Sequence, residues 1–132
     1  MDKFVKLLKG NGLKATPQRL EILKVIEKLG HPSIEDIYHH LGKNFPSISL
    51  ATVYKNLNLL RDIGIVHQLH IRKGHRYELR TTSHAHLVCS QCGKIQDLEL
   101  KLELCEQLKE KYPSATFDLY IYDLCSACNS NR

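Results

Sequence analysis

The first sixty residues alternate between stretches with regularly spaced apolar side chains and short polar or glycine-containing breaks. Within each stretch the apolar side chains recur every three or four positions, which places them on one face of a helix. Four helices are therefore predicted, over residues 4–9, 17–29, 34–41 and 50–60.

Residues that favour helix starts precede three of these segments. Thr16 can cap the second helix, and Pro17 fits its first turn because that position needs no backbone N–H. Ser33 followed by Asp36 resembles a capping box, with aspartate in place of the usual glutamate. Ser49 can cap the fourth helix. These residues indicate where the helices begin.

The fourth predicted helix has one apolar face and one hydrogen-bonding face. Its inward stripe is Val53, Leu57 and Leu60. Its outward groups are Thr52, Tyr54, Lys55 and Asn58. A surface rich in hydrogen-bonding groups and short of acids suits a helix that reads the major groove of DNA. An amphipathic surface helix without that role would show the same spacing.

A hairpin is predicted after this helix. Residues 65–71 alternate like a strand, residues 72–74 form a basic turn, and residues 76–80 return as a second strand. Helices followed by a hairpin with a basic tip describe a winged helix, which is a variant of the DNA-binding helix-turn-helix. Its basic hairpin tip is a candidate for contact with phosphate.

The polar segment 81–83 has no hydrophobic periodicity and is taken as the hinge between two domains. Downstream, strands are predicted at 85–88, 95–98 and 116–124, and a helix at 100–111. The predicted fold class is α+β, with an N-terminal winged helix-turn-helix domain over 1–80 and a small C-terminal α/β domain over 84–132. About fifty residues make a small core, so zinc and a partner subunit are the expected supports.

Charge separates the two parts of the chain. Residues 1–80 contain 14 Lys and Arg against 7 Asp and Glu, a net of +7, whereas residues 81–132 contain 5 against 7, a net of −2. A basic domain is typical of proteins that bind a polyanion such as DNA. A solvated basic surface is the alternative, and charge alone does not separate the two.

The chain has 132 residues, of which 42% are apolar, enough for a real core. No apolar run approaches the roughly 18 residues that a membrane span needs, and no signal peptide is recognised. A cytoplasmic protein is therefore expected. Disulfides are rare in that compartment, so paired cysteines favour metal binding.

Four of the five cysteines form two Cys-x-x-Cys pairs, Cys89 with Cys92 and Cys125 with Cys128. Two such pairs can fill a closed tetrahedral site, so structural zinc is predicted. The alternative is a redox dithiol, which needs a Cys-x-x-Cys at a helix N-terminus, and neither pair is predicted to precede a helix. Cys105 is interpreted as a small buried hydrophobe.

A second metal site is predicted from the histidines that the zinc site leaves over. His84 and His86 share one face of a strand, Asp97 follows on the next strand, Glu78 precedes the hinge and His31 stands at a helix start. Three imidazoles and two carboxylates suit Fe(II) or Mn(II), and zinc could also enter. The remaining histidines are interpreted as surface or DNA-side residues: His39, His40, His67, His70 and His75.

Two other function classes compete with a DNA-binding regulator. A metal hydrolase would need an open metal position and a general base in a pocket, and the sequence offers no further candidate base. A zinc-ribbon interaction module without DNA binding would leave the basic winged-helix half unexplained. No enzyme activity is therefore expected.

Three motifs together resemble the signatures of the ferric uptake regulator family, which includes Fur and PerR. They are Thr16-Pro17-Gln18-Arg19, Ser49-Leu50-Ala51-Thr52-Val53-Tyr54 and His84-x-His86-x-x-Cys89-x-x-Cys92-Gly93-Lys94. They occur in the family's order and cover nearly the whole chain. The resemblance implies a homodimeric, metal-dependent repressor of operator DNA with a C-terminal dimerisation domain.

The resemblance also implies roles for individual residues. It implies structural zinc at the two cysteine pairs. It implies regulatory Fe(II) or Mn(II) at His31, Glu78, His84, His86 and Asp97. Tyr54 falls on the recognition helix, and Lys14 falls where the family places a minor-groove lysine. The candidate DNA contacts are Lys14, Arg19, Ser49, Thr52, Tyr54, Lys55 and Asn58.

Departures from the family pattern help to decide whether the chain resembles the peroxide-sensing branch or the iron-uptake branch of the family. Glu78 stands where the peroxide-sensing branch usually has aspartate and the iron-uptake branch has glutamate. Against that, Ala85 and Phe117 replace an acid and a histidine of a third metal site found in many iron-uptake regulators. A PerR-like regulator that senses peroxide through iron-catalysed histidine oxidation is predicted, with a Fur-type iron-uptake regulator as the alternative.

Overall fold

The computed structural model describes residues 2–72, 74–79, 85–98, 103–115 and 117–130. The chain divides into two compact units, Met1–Arg80 (unit 1) and Thr81–Arg132 (unit 2). The predicted hinge 81–83 and His84 lie outside the described residues. Within the described part, no helix combines the length and the apolar character needed to cross a bilayer.

Unit 1 consists of four helices followed by a hairpin. They are α1 (Asp2–Gly10), α2 (Pro17–Leu29), α3 (Ile34–Leu41), α4 (Leu50–Asp62), β1 (Val66–Ile71) and β2 (Gly74–Leu79). Unit 2 alternates strands and helices. They are β3 (Ala85–Cys89), β4 (Ile95–Leu98), α5 (Glu103–Lys111), β5 (Leu119–Asp123) and α6 (Ser126–Ser130).

Capping contacts confirm the predicted helix starts. Thr16 Oγ1 accepts a hydrogen bond at 3.3 Å from a backbone N–H in the first turn of α2. Ser33 and Asp36 form the expected reciprocal capping box at α3. Ser49 Oγ accepts from the first turn of α4 at 3.1 Å. Each contact satisfies a backbone donor that the helix start leaves without an intrahelical partner.

The core of unit 1 is formed chiefly by the apolar faces of α2, α3 and α4. Its fully shielded side chains include Ile22, Leu23, Ile26, Ile37, Leu41, Val53, Leu57 and Leu60. Each buried aliphatic side chain contributes about 1.5–3 kcal/mol relative to the exposed state. The inward stripe of α4 is therefore as predicted, and its opposite face remains in solvent.

The second strand of the hairpin begins earlier than the alternation predicted. β1 and β2 pair antiparallel along their whole lengths, with Gly74 opposite Ile71, so β2 starts at Gly74 rather than at residue 76. Gly74 has a φ of 113°, which side-chain-bearing residues rarely adopt, and this permits the tight reversal. The Tyr77 N–H donates to the Pro32 carbonyl at 2.9 Å, which ties β2 to the loop between α2 and α3.

Unit 2 is built on a three-stranded sheet in the order β4-β3-β5. β4 pairs antiparallel with the central β3, and β5 pairs parallel with it on the other side. Parallel strands need a crossover connection, and the segment that contains α5 provides it. Cys105 on α5 is buried, as expected.

Two features of unit 2 were not predicted. The short helix α6 follows the last strand directly. On β5 the aliphatic side chains point outward, since Leu119 and Ile121 are 38% and 42% exposed, whereas Tyr120 and Tyr122 are half-buried. An edge strand of this sheet thus presents apolar side chains to solvent.

Candidate metal centre and nucleic-acid interface

Four cysteine thiols converge in unit 2. Cys89 ends β3, Cys92 lies in the turn to β4, Cys125 precedes α6 and Cys128 lies within it. Their Sγ atoms all lie within 4.8 Å of one another, and the Sγ atoms of Cys92 and Cys125 are 3.7 Å apart. Tetrahedral zinc, with Zn–S bonds of about 2.3 Å, places two sulfurs about 3.8 Å apart. The donor set and its spacing suit a closed zinc site.

Strand pairing and a tight turn bring the thiols together. The Cys89 N–H donates to the Lys94 carbonyl at 2.9 Å, and the Gly93 N–H donates to the Cys89 carbonyl at 3.0 Å. Gly93 has a φ of 79°, which glycine adopts without steric cost. On the other side, Cys89 is paired with Asp123 of β5, so the second cysteine pair arrives next to the first.

Backbone donors favour the thiolate form of Cys89. The N–H groups of Cys92 and Cys125 lie 3.4 and 3.3 Å from its Sγ, and these bonds lower the pKa of Cys89 to about 5. The backbone N–H of Cys128 lowers the pKa of Cys125, whereas the side-chain hydrogen bond to Cys125 raises the pKa of Cys128 to about 12. Zinc binding would displace the remaining proton.

The helix α6 corrects one argument made from the sequence. Neither cysteine pair was expected to precede a helix, yet α6 starts directly after Cys125, whose carbonyl accepts from the Asn129 N–H at 2.9 Å. Cys125 therefore has a position that redox dithiols also use. What favours a metal over a dithiol is the convergence of all four Sγ atoms, not the lack of a helix.

In unit 1, two of the predicted regulatory ligands are in contact. Gly30 ends α2 with a φ of 83°, and the chain turns there to present His31. The His31 Nε2 and Glu78 Oε2 atoms are 3.1 Å apart, and Glu78 is only 4% exposed. The bond between Tyr77 and Pro32 brings their neighbours Glu78 and His31 together. A buried carboxylate needs such a partner or a cation, because burial of an isolated charge is costly.

In unit 2, two further predicted ligands form a second histidine–carboxylate pair. His86 on β3 lies opposite Asp97 on β4, and its Nε2 is 3.2 Å from Asp97 Oδ1. The His86 ring is fully buried and stacks on Tyr120 of β5, with ring centroids 5.9 Å apart. Neighbours on both sides therefore hold this imidazole in place. His84, the fifth predicted ligand, lies outside the described residues.

The candidate DNA contacts on α4 divide into two groups. Tyr54, Lys55 and Asn58 are exposed, and so is Lys14 in the loop before α2. Ser49 and Thr52 instead contact each other, with their hydroxyl oxygens 2.9 Å apart, and Ser49 caps the helix. The first group is available to a ligand, and the second, although Ser49 is also exposed, has a structural role at the start of α4.

Arg19 connects α2 to α4 and to the preceding loop. Its Nε donates to Asn56 Oδ1 at 3.1 Å, and its guanidinium donates to the Lys14 carbonyl at 3.1 Å. Asn56 in turn donates to the Thr52 carbonyl at 3.0 Å. Sequence reasoning missed Asn56; its four-residue spacing from Thr52 was the one available signal. These contacts position Lys14 and α4 relative to each other.

Comparison with known proteins agrees with the motifs. A family model for the ferric uptake regulator family matches residues 10–123. The peroxide-responsive repressor PerR of Staphylococcus saprophyticus is 38% identical over 134 residues, covering 97% of this chain and 90% of that protein. The crystal structure of the Campylobacter jejuni peroxide stress regulator is 39% identical with a TM-score of 0.76, covering 94% of this chain and 98% of that one.

A third relative comes from the iron-regulator branch. The ferric uptake regulator of Francisella tularensis, whose structure was determined with iron, is 32% identical with a TM-score of 0.72, covering 89% of this chain and 96% of that one. The predicted family and the predicted likeness to peroxide-responsive repressors are thus confirmed. The chain belongs to the ferric uptake regulator family.

Proposed function

We propose that this chain is a metal-responsive DNA-binding repressor that works as a homodimer in the cytoplasm, where its operator DNA is found. The observation that carries the proposal is the presence in each unit of one histidine–carboxylate pair, His31 with Glu78 and His86 with Asp97. Both pairs have the nitrogen and oxygen donors that Fe(II) and Mn(II) accept. The relative from Francisella tularensis was solved with iron.

One ion bound by both pairs and by His84 would link unit 1 to unit 2. In a dimer, that link sets the distance between the two copies of α4, which has to match the spacing of the DNA half-sites. Metal binding and DNA binding then reinforce each other by the same factor in both directions. The chain's own residues thus act by holding the DNA-binding unit in one orientation.

Two surfaces support the proposed partners. The exposed face of α4 carries Tyr54, Lys55 and Asn58 on a unit with a net charge of +7. In unit 2 the outward Leu119 and Ile121 lie on an edge strand, and such apolar edges are normally covered. We propose that a second copy of unit 2 covers this edge strand in the dimer. The proposed zinc ligands, which stabilise unit 2, are Cys89, Cys92, Cys125 and Cys128.

A DNA-binding titration tests the proposal. A probe is first selected from random DNA by the Mn(II)-loaded protein, and fluorescence anisotropy then measures its affinity with Mn(II), Fe(II) or a chelator. We expect Mn(II) and Fe(II) to raise affinity by at least about tenfold, in the 1–3 kcal/mol range of allosteric coupling. Glu78→Gln should abolish that response while Glu27→Gln, which changes a surface carboxylate of unit 1, should preserve it. Equal affinity with metal and with chelator would disprove metal control.

We further propose that the repressor responds to peroxide. The support is its similarity to the Staphylococcus saprophyticus repressor and the Campylobacter jejuni stress regulator. With iron bound, peroxide would add one oxygen atom to the ring of His31 or His84, and its second oxygen would leave as water. Glu78 has one methylene more than the aspartate usual in peroxide sensors and can crowd the position that peroxide needs. Oxidation of the native chain should therefore be slow, and Glu78→Asp should make it faster.

Mass spectrometry of peptides containing His31 and His84 checks this prediction. The protein is treated with peroxide as its Fe(II) and Mn(II) forms, and the gain of one oxygen is quantified in the native chain and in Glu78→Asp. Oxidation should occur in the iron form only. If the iron form gains no more oxygen than the manganese form and Glu78→Asp changes nothing, the chain is a Fur-type iron-uptake regulator instead.

A further inference from the structure

We propose that His70 and His75, on the two strands of the hairpin, bind a late first-row divalent cation such as Ni(II), Cu(II) or Zn(II). This would be a third metal site, separate from the four cysteines and from the two histidine–carboxylate pairs. Imidazole is the side chain that these cations prefer among nitrogen and oxygen donors. Binding of the cation does not depend on the regulatory role proposed above, whereas its effect on DNA binding rests on the proposed function.

Strand register brings the two imidazoles together. His70 on β1 is the direct partner of His75 on β2, so both side chains leave the hairpin on the same face. Both are exposed, so an ion can reach them without any rearrangement of the core. The two strands are held by a continuous antiparallel ladder, which keeps the pair together in the absence of metal.

The ring geometry fits chelation. The ring centroids of His70 and His75 are 4.9 Å apart, and the ring planes are inclined at 86°. Two imidazoles bound at about 2.0–2.1 Å, with an N–metal–N angle of about 90–109°, have centroids about 4.5–5.2 Å apart. The observed separation lies within this interval. By contrast, His39 and His40 are adjacent on α3, and their ring centroids are 5.9 Å apart.

The surroundings of His75 leave room for water ligands. His75 lines an open cavity of about 660 Å³ in unit 1, together with Glu35, Gln68, Tyr54 and Asn58. Water molecules in this open cavity would complete the coordination of an ion held by the two rings. The nearby Arg76 guanidinium lies 3.5 Å from the Asp36 carboxylate, which offsets its repulsion of a cation.

Because of its position, an ion bound at this site would affect DNA binding. The cavity joins the hairpin to Tyr54 and Asn58, which lie on the exposed face of α4. A bound divalent cation adds positive charge beside this face and so favours the approach of phosphate. The site therefore provides a second metal input that acts within unit 1 alone.

Counting bound Ni(II) tests the site. The zinc-loaded full chain, His70→Gln, His75→Gln and the double variant are titrated with Ni(II) by calorimetry, with His39→Gln as the matched control. We expect the native chain and His39→Gln to bind one Ni(II) per chain more than the other three. Each single variant should lose one bound Ni(II) per chain, as the double variant does, because both rings hold the same ion. Equal Ni(II) stoichiometry in all five proteins would overturn the proposal.

A second measurement on the native chain does not depend on how the variants fold. When paramagnetic Ni(II) is added to the zinc-loaded chain, the histidine ring signals of His70 and His75 should broaden in NMR spectra before the signal of His39. Simultaneous broadening of all three rings would show unspecific binding and would reject the site. His70→Gln should bind Mn(II) with the same affinity as the native chain, which would show that this site is separate from the regulatory ligands.

Discussion

Two tyrosines of unit 1 have nearly equal exposure but lie on different helices. Tyr54 on α4 is 42% exposed and Tyr38 on α3 is 39% exposed. Only Tyr54 belongs to the helix whose outer face carries Lys55 and Asn58 and which has no acidic side chain before its last residue, Asp62. Comparing substitutions of the two tyrosines therefore distinguishes the general effect of removing a surface aromatic ring from the loss of a DNA contact.

Tyr54→Ala should weaken binding to the selected DNA by about 1–3 kcal/mol, the usual cost of removing one base-edge contact. Binding to random DNA should change little because phosphate contacts dominate it. Tyr38→Ala should leave both affinities unchanged. Anisotropy titrations at one salt concentration provide the comparison, and equal losses on selected and random DNA for Tyr54→Ala would make this residue a part of the scaffold.

Single residues also show the limit of sequence reasoning. The sequence identifies Arg19 as a candidate DNA contact because of its motif, but its hydrogen bonds to Asn56 and to the Lys14 carbonyl depend on how α2 and α4 pack. The same holds for His86, which the pattern placed on a strand without indicating that its ring is fully buried against Tyr120. Contacts between distant segments are decided by packing, which periodicity does not describe.

At the scale of elements, the start of α3 is held by a reciprocal contact. The backbone N–H of Asp36 donates to Ser33 Oγ at 3.1 Å, and the backbone N–H of Ser33 donates to Asp36 Oδ2 at 3.0 Å. Ser33→Ala should destabilise unit 1 by about 0.5–2 kcal/mol, the usual cost of losing a helix cap. Ser47→Ala, in the loop before α4, is the control and should have little effect in urea unfolding followed by circular dichroism.

The same contact predicts a pH dependence. The hydrogen bond from the Ser33 backbone is the main reason that the pKa of Asp36 lies below its ordinary value of 3.8. A carboxyl whose pKa is lowered on folding stabilises the native state above its unfolded pKa and stops doing so as pH falls through the folded value. The stability difference between the native chain and Asp36→Asn should thus be constant above about pH 5 and shrink below about pH 4. A difference that grows on acidification would contradict this sign.

Elements with a local chemical signal were predicted well. The caps at Thr16, Ser33 and Ser49 each act within one helical turn, so the sequence carries the whole cause of those helix starts. The start of β2 at Gly74 and the helix α6 lack such a signal. Gly74 joins the strand because Ile71 pairs with it, and α6 forms where the second cysteine pair meets the first.

At the scale of the whole molecule, we expect the stability of unit 2 to depend on its cysteines more than on its core. Both edge strands of its sheet are partly exposed, and its fully buried side chains are few among the described residues. Four thiolates around one zinc are coupled to folding. Removal of one ligand should therefore affect the whole unit rather than one turn.

Cys89→Ser should release zinc, unfold unit 2 and abolish the dimer, while the helices of unit 1 remain folded. Cys105→Ala is the control, because Cys105 is buried on α5 but is not one of the four converging thiols. Mass spectrometry measures the zinc content, circular dichroism measures folding, and light scattering measures the mass of the assembly. A zinc-free Cys89→Ser protein that stays dimeric and folded would rule out a structural zinc site.

The parallel pairing of β3 with β5 has a consequence for biosynthesis. Cys89 and Cys125 are 36 positions apart in the chain, and a ribosome releases the first cysteine pair well before the second. Domains fold as units in the order in which they emerge, so unit 1 can fold while β3 still waits for β5. During that interval β3 presents an unpaired edge, which is the kind of surface that starts aggregation. The supply of zinc in the cell should therefore govern the yield of native chains during synthesis, in addition to the stability of finished ones.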